Sequence, residues 1–438
     1  MRSCQEAEEY ILSIPKFAGK HTLEDTRRLL ARVGGDGIKG KIIHVAGTNG
    51  KGSVCAYLRS VLLESGCSVG MFISPHLETM RERICLGNEM ISPDEFLRSF
   101  HRVKEAVRQE GQEQKNHPSF FEFLFLMAMA YFAEKQPDYL ILETGLGGRL
   151  DATNCLLQKD LCVITEIGFD HMQYLGDTLG EIAGEKAGIM RPGVPVVFVD
   201  KRSESTQVLA DYAKKMKSPA IIIGKNSILN VNINHKTIDF SLYTGYYKYV
   251  SLSLETIALY QPENASLAVA AAKQLRDERI SESTIRQGLR KASWPGRMEE
   301  ALPGVYLDGA HNEDGIEMLL ATIKSRKCEG KRFLLFGVLA DKHYEEMISL
   351  IAQSALFHEA AVTVIDEKRS LSLAKEKEVW NRYREKAGSS MALSFHEDAG
   401  DACRQLLAKK ESKDVVYIAG SLYLIGQMKS FLRRMQDD

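Results

Sequence analysis

Lys41-Ile-Ile-His-Val-Ala-Gly-Thr-Asn-Gly-Lys-Gly-Ser53 carries an apolar run into a glycine-rich turn that holds a lysine and a hydroxyl. The run at 42–45 predicts a buried strand, and residues 53–64 place apolar side chains at helical spacing. The turn therefore opens a helix. There, unpaired backbone N–H groups and the positive end of the helix dipole favour an anion, and glycines let the backbone approach it closely. A loop of this kind suits nucleotide phosphates, with Lys51 reaching the terminal phosphates and the Ser53 hydroxyl on Mg2+. Its spacing departs from the common G-x-x-x-x-G-K-[ST] form: Val45 stands at the first glycine, and Gly52 separates Lys51 from Ser53. A plain strand-to-helix turn with a solvated lysine is the competing reading.

At 438 residues the chain exceeds one core of ordinary size, so two domains are expected. Hydrophobic content of 44% and charged content of 26% match a soluble globular protein. A formal charge of −1 gives no global attraction to nucleic acid or anionic lipid, so anion binding must be local. Eight cysteines, at 4, 55, 67, 85, 155, 162, 328 and 403, form no C-x-x-C pair, which fits a reduced cytoplasmic protein. The acidic N-terminus lacks a signal-peptide pattern. The apolar run at 120–133 is too short to span a bilayer and contains Glu122, so it is expected as a buried helix.

Strands are expected at 68–73, 139–143, 161–165 and 195–199, with a helix around 178–188. Apolar strands alternating with helices indicate a mostly parallel sheet covered on both faces. From 219 to 258 the pattern alternates polar and apolar, as for a small antiparallel appendage. Helices at 262–275 and 281–292 lead to Trp294-Pro-Gly-Arg297, whose turn marks a domain boundary. The alternation then restarts with strands at 304–308, 332–338, 360–365 and 414–419 and helices at 314–325, 343–355, 371–387 and 422–435. The fold class is α/β, with an N-terminal P-loop domain (1–296) and a C-terminal α/β domain (297–438).

Ligands of open parallel sheets gather at the carboxyl ends of strands, which places Glu143 facing the phosphate loop as a Mg2+ ligand or, more plainly, as a turn cap. Asp170-His171 also follows a strand's carboxyl end. Lys186 lies late in a helix, where a solvated lysine favoured by the helix dipole is the simple expectation. Arg297 offers a charged fork of donors for phosphate beside the interdomain turn. Asp308 and His311 end a strand three residues apart; this cluster and Arg297 would both face a cleft between domains, and an ordinary turn is the competing reading of either.

Together these segments resemble the folylpolyglutamate synthase and dihydrofolate synthase family of the Mur ligase superfamily. The resemblance rests on HVAGTNGKGS, SPHL followed by RERI, ETGLGGRLDATN, DHMQYLGDTLGEIAGEKAGIMRP, WPGRME, LDGAHN and GSLYLIG, in that order from residue 44 to 426. It implies an ATPase domain and a Rossmann-like domain closing over ATP and substrate. It further implies that Gly47, Thr48, Asn49, Gly50, Lys51, Gly52 and Ser53 cradle ATP, with Asn264 on the adenine side and Arg297 and Asp308 on the nucleotide. Ser53 and Glu143 would hold one Mg2+. His171 and a Lys186 carbamylated by CO2 would serve a second. Lys51, His171, Lys186, Asp308 and His311 form the implied catalytic set. Ser74, His76, Arg83, Phe121, Arg149 and Asp151 are the implied folate contacts. Glu313 and Thr144 depart from the family's usual proline and valine, and the segment 15–24 matches its substrate-side N-terminus only loosely.

The implied reaction is ATP-dependent ligation of L-glutamate to a folate, or to dihydropteroate, by a cytoplasmic monomer through an acyl phosphate. The partners are small-molecule substrates, with no nucleic acid and no membrane. Another Mur-type amino acid ligase, a P-loop kinase, and a nucleotide-binding regulator without activity are the alternatives.

Overall fold

A computed structural model describes residues 3–15, 21–111, 116–244, 247–366 and 368–437. Most of the loosely matched substrate-side segment, residues 16–20, lies outside the described residues.

The opening stretch folds as read: strand β1 (Lys41–Ala46) runs into the helix Lys51–Glu64. Seven further strands join β1 in one sheet: β2 (Val69–Phe72), β3 (Ile84–Leu86), β4 (Glu89–Met90), β5 (Tyr139–Glu143), β6 (Leu161–Ile164), β7 (Val196–Val199) and β8 (Ala220–Ile223). Their order is β4-β3-β2-β5-β1-β6-β7-β8. The six from β2 to β8 in that order are parallel, and β3 and β4 add an antiparallel edge. Register pairs Val45 with Glu143 and Ala46 with Ile164, so the phosphate loop, Glu143 and the 165–171 segment all leave the same edge.

Both faces of this sheet are covered, which explains its near-continuous apolar strands. Ile43, Val45, Met71 and Ile141 pack in one core cluster with the helices Lys51–Glu64 and Gln261–Gln274, whereas Ile42, Phe72, Leu140 and Leu142 face another with the helix Phe120–Lys135. That helix is buried all round, from Phe123 to Phe132, as its unbroken apolar sequence requires. Each of its fully buried Phe and Leu side chains contributes roughly 1.5–3 kcal/mol relative to exposure.

The region from 219 begins differently from its expected antiparallel pattern, because β8 still belongs to the parallel sheet. The appendage follows as β9 (Ile228–Ile233), β10 (Ile238–Thr244) and β11 (Tyr247–Leu254), antiparallel in the order β11-β10-β9. A six-stranded sheet then contains β12 (Arg297–Leu302), β13 (Val305–Asp308), β14 (Arg332–Phe336), β15 (Glu359–Thr363), β16 (Ala392–His396) and β17 (Val415–Ala419), ordered β12-β13-β17-β14-β15-β16. All its pairs are parallel except β12 with β13. Strands β3, β4, β12 and β16 and the helix Ala399–Lys409 are not among the elements expected from the sequence, nor are the helices Cys4–Ser13, Leu23–Arg32, Pro93–Gln109 and Ser203–Lys215. β12 and β16 are edge strands carrying charged or exposed residues, which blurs a strand's apolar signature.

Candidate active site

The carboxyl edges of the eight-stranded sheet, the first sheet, and of the six-stranded sheet, the second, face one cavity of about 280 Å3. Its wall includes Gly47–Ser53, Ser74, Glu143, Asp170, His171 and Lys186 from one side and Arg297, Asp308–His311, Lys342 and Arg369 from the other.

Gly50 starts the helix Lys51–Glu64 with φ of 87° and no side-chain cap, leaving the first turn's amides for a ligand. A Cβ there would stand 2.2 Å from Asn264 Oδ1, so glycine is needed for conformation and space alike. The loop is stapled to the segment after β6. Thr48 N donates to Glu166 O at 2.7 Å, Thr165 Oγ1 donates to Asn49 O at 2.6 Å, and the Thr48 hydroxyl bonds Gly168 at both its N–H and carbonyl, each 3.1 Å. The Thr48 side chain is thus occupied by the loop's own architecture. Asn49 Nδ2 is buried and, among the described residues, has no hydrogen-bond partner, leaving an orphaned donor on the glycine-rich loop. The cradle, the orphaned amide and the open helix end fit the phosphates of a nucleotide.

Lys51 Nζ donates to the carbonyls of Gly47 and Thr48, both at 3.1 Å. Lys186 Nζ also donates to Gly47 O, at 2.8 Å, and its side chain is 3% exposed. The expected solvated lysine is therefore wrong: the helix Leu179–Ala187 points this residue into the protein. Burial, aided by the nearby Lys51 charge, lowers the Lys186 amine to about 7.

Glu143 is buried, and its Oε2 accepts the Ser74 N–H at 3.1 Å. Burial raises its carboxyl, opposed by Lys51. The Ser53 hydroxyl accepts from Gln261 Nε2 at 3.2 Å. This hard oxygen pair suits Mg2+, which takes few protein ligands and completes its shell with phosphate oxygens and water. Accordingly, among the described residues no group of three or more His, Cys, Asp or Glu forms a ready-made cage. His171 has φ of 52° at the start of a short turn. Burial lowers its imidazole to about 4, leaving a neutral ring able to ligate a metal.

From the second sheet, Lys342 Nζ meets Asp170 Oδ1 at 2.6 Å, and His311 Nε2 stands 3.6 Å from Asp170 Oδ2. Asn312 Nδ2 donates to Asn49 Oδ1 at 3.0 Å, and Arg202 pairs with Asp314. Asp308 accepts from Tyr260 OH at 2.6 Å and from Met298 and Ala310 N–H at 3.0 and 2.9 Å. Burial raises its carboxyl, opposed by Arg297. Asn264 Nδ2 bonds Gln261 Oε1 at 3.1 Å and lies on the cavity wall with Arg297.

The implied folate contacts divide. Ser74 lines the cavity, but His76, Arg83, Phe121, Arg149 and Asp151 lie outside its wall. Arg83 Nε donates to His76 Nδ1 at 2.8 Å, with its guanidinium 5.2 Å from the Phe120 ring centre. Phe121 packs on Phe72, and Arg149 pairs with Glu185 at 3.2 Å. The acceptor oxygens of Asp151 take the N–H groups of Gly145, Leu146 and Thr153 and the Thr153 hydroxyl, shaping the glycine-rich loop after Glu143. Tyr260, Lys342 and Arg369 were missed. Only the position of Lys342 and Arg369 after β14 and β15, at carboxyl ends, could have pointed to the last two.

Comparison with known proteins agrees with this architecture. The Mur ligase middle domain family matches residues 45–272, and the Mur ligase glutamate ligase domain family matches 296–422. A dihydrofolate synthase/folylpolyglutamate synthase of Bacillus subtilis is 38% identical over 443 residues, covering 98% of this chain and 99% of that protein. The structure of E. coli FolC in complex with DHPP and ADP superposes with a TM-score of 0.85 at 26% identity, covering 99% and 98% of the two chains. Mycobacterium tuberculosis folylpolyglutamate synthase complexed with ADP gives 0.87 at 25% identity, covering 98% of each.

Proposed function

The chain belongs to the folylpolyglutamate/dihydrofolate synthase family of Mur ligases, and from that premise we propose how its cavity joins L-glutamate to a folate carboxylate with ATP. The observation that supports the chemistry is the single cavity wall holding Lys51 and Glu143 from one sheet edge and Asp308 and His311 from the other.

A carboxylate is a poor electrophile. Transfer of the ATP γ-phosphoryl to a folate carboxylate oxygen gives an acyl phosphate and ADP. Lys51 and Arg297 offset charge on the transferring group, the main contribution a protein makes to that step. The glutamate amine then attacks the acyl carbon, the C–O bond to phosphate breaks, and the amine proton passes to a base, the role assigned in this proposal to His311, which lines the cavity. Mg2+ would be held by Ser53 and Glu143, with a second ion at His171 and Lys186, and would supply Lewis-acid polarisation of phosphoryl oxygens. A neutral amine is what reacts with CO2, and burial favours that form of Lys186, which supports its carbamylation. Asn264 would face the adenine. Ser74 is the supported folate contact, with His76, Arg83, Phe121, Arg149 and Asp151 as outer candidates.

This reading includes a boundary near 296/297, where β12 opens the second sheet, and a monomeric, cytoplasmic enzyme. Among the described residues no helix is long and apolar enough to cross a membrane. The deciding assay supplies Mg-ATP, L-glutamate and either dihydropteroate or a tetrahydrofolate, and reads product mass with released phosphate. Gain of one glutamate residue per phosphate supports the ligase; phosphate release without mass gain overturns it.

A further inference from the structure

The segment Gly420-Ser-Leu-Tyr-Leu-Ile-Gly426 leads into the helix Leu422–Asp437, and its last glycine lies on the backbone of Leu77, in the loop after β2. A Cβ on Gly426 would stand 2.0 Å from Leu77 O and 2.7 Å from its carbonyl carbon. Backbone on both sides of this contact leaves no flexible side chain to yield. The Leu77 side chain packs against the core cluster that contains Leu424, Ile425 and Met428, so a residue of the first sheet's loop is anchored in the second sheet's core. Glu78, next in sequence, accepts Ser430 Oγ at 3.0 Å and Arg433 Nη2 at 2.8 Å.

The loop is preset to make this contact. The Glu82 carboxylate accepts the N–H groups of Leu77, Glu78 and Thr79 at 2.8, 2.8 and 2.7 Å. Three residues before Leu77, Ser74 N–H donates to Glu143 Oε2. Leu77, Glu78, Gly426 and Arg433 are absent from the cavity wall, whereas Ser74 and Pro75 lie on it, together with Gly420–Tyr423. The path from the helix to the Glu143 carboxylate thus runs through one short loop.

We propose that Leu77 and Glu78 form a docking joint with the helix Leu422–Asp437 that sets the Ser74 amide on Glu143, making Leu77, Glu78, Gly426 and Arg433 positioning residues for the ligase reaction. The catalytic half of this proposal rests on the proposed function. The apolar anchor and backbone contact hold the joint, and the exposed Glu78–Arg433 pair, weak by itself, sets its register.

Gly426→Ala is the sharpest test. Forcing the helix off Leu77 lowers kcat roughly 10–100-fold, the scale of a small misplacement near reacting groups, and speeds amide hydrogen exchange across 74–79 in the protein without substrates. Unchanged kcat together with unchanged exchange overturns the joint. If Gly426→Ala does not fold, charge reversal decides instead: Glu78→Arg and Arg433→Glu each speed exchange at 74–79 by roughly five-fold, and the double variant restores protection. A double variant no better protected than the singles overturns the proposal. Hydrogen exchange needs no turnover, so a wild-type protein that fails to ligate glutamate would refute the function while the joint is still decided.

Discussion

Lys51 and Lys186 donate to the same carbonyl oxygen, that of Gly47, at 3.1 and 2.8 Å. Burial first, and the neighbouring Lys51 charge second, disfavour the cationic form of Lys186, so a negative charge brought beside it would relieve the site. Nucleotide phosphates, and a carbamate on Lys186, would each supply that charge.

The buried Lys186 amine gives a pH signature. Its folded value of about 7 lies below an unfolded value of about 10.4, so between them the unfolded chain binds more protons and stability rises with pH. In CO2-free buffer, Lys186→Met is expected to unfold at higher denaturant than wild type near pH 6–7, with the gap closing toward pH 10. Equilibrium urea titrations across that range check it. In activity, Lys186→Ala is expected to lose turnover and regain part of it with added short-chain carboxylates. Full activity without them would exclude the carbamate role.

Glu143→Gln keeps an acceptor for the Ser74 N–H but removes the charge. Because burial raises this carboxyl, its ionised form opposes folding: the group favours the folded state only at low pH, and that contribution is lost as pH rises through its folded value. The variant is therefore expected to melt no lower than wild type at pH 7.5 while Mg2+-dependent ATP turnover falls roughly 100-fold or more. Thermal unfolding and phosphate release measure the two effects.

Asp170 holds Lys342 at 2.6 Å across the two sheets, and its carboxyl lies well below the ordinary range despite burial, through His311 and Lys342. This stabilisation is present above the unfolded value near 4 and is lost as pH falls toward the folded one. Asp170→Asn leaves Lys342 nearly buried without its counter-charge and is expected to destabilise by about 3 kcal/mol. Lys342→Met should be milder in stability yet reduce kcat/KM, because the same pair draws the β14 loop to the cavity. Urea unfolding and steady-state kinetics separate the two.

Tyr260 donates to Asp308 at 2.6 Å inside the protein. Tyr260→Phe removes that donor from a carboxylate that retains two backbone N–H partners, so a loss of about 1–3 kcal/mol is expected by urea unfolding. No measurable loss would show that the hydroxyl is dispensable to the Asp308 environment.

Local chemistry was legible in the sequence. The apolar run at 42–45, the glycines and the helical spacing after Ser53 act within about twenty residues, and β1, the loop and its helix follow them. The same holds for β5 ending at Glu143. The amphipathic helix Pro93–Gln109 carries the same kind of local signal, with Phe96, Phe100, Val103 and Val107 buried at helical spacing.

What the sequence determined by itself, therefore, was which segments form strands and helices, where their carboxyl ends fall, and the family whose ordered motifs they carry. Tertiary structure decided the rest. Periodicity tells which face of an element is apolar, but not which distant element covers it. Only the folded chain shows that Lys186 turns inward to Gly47, that Thr48 and Asp151 serve the loops around the cavity, and that Lys342 closes on Asp170 across 172 residues of sequence.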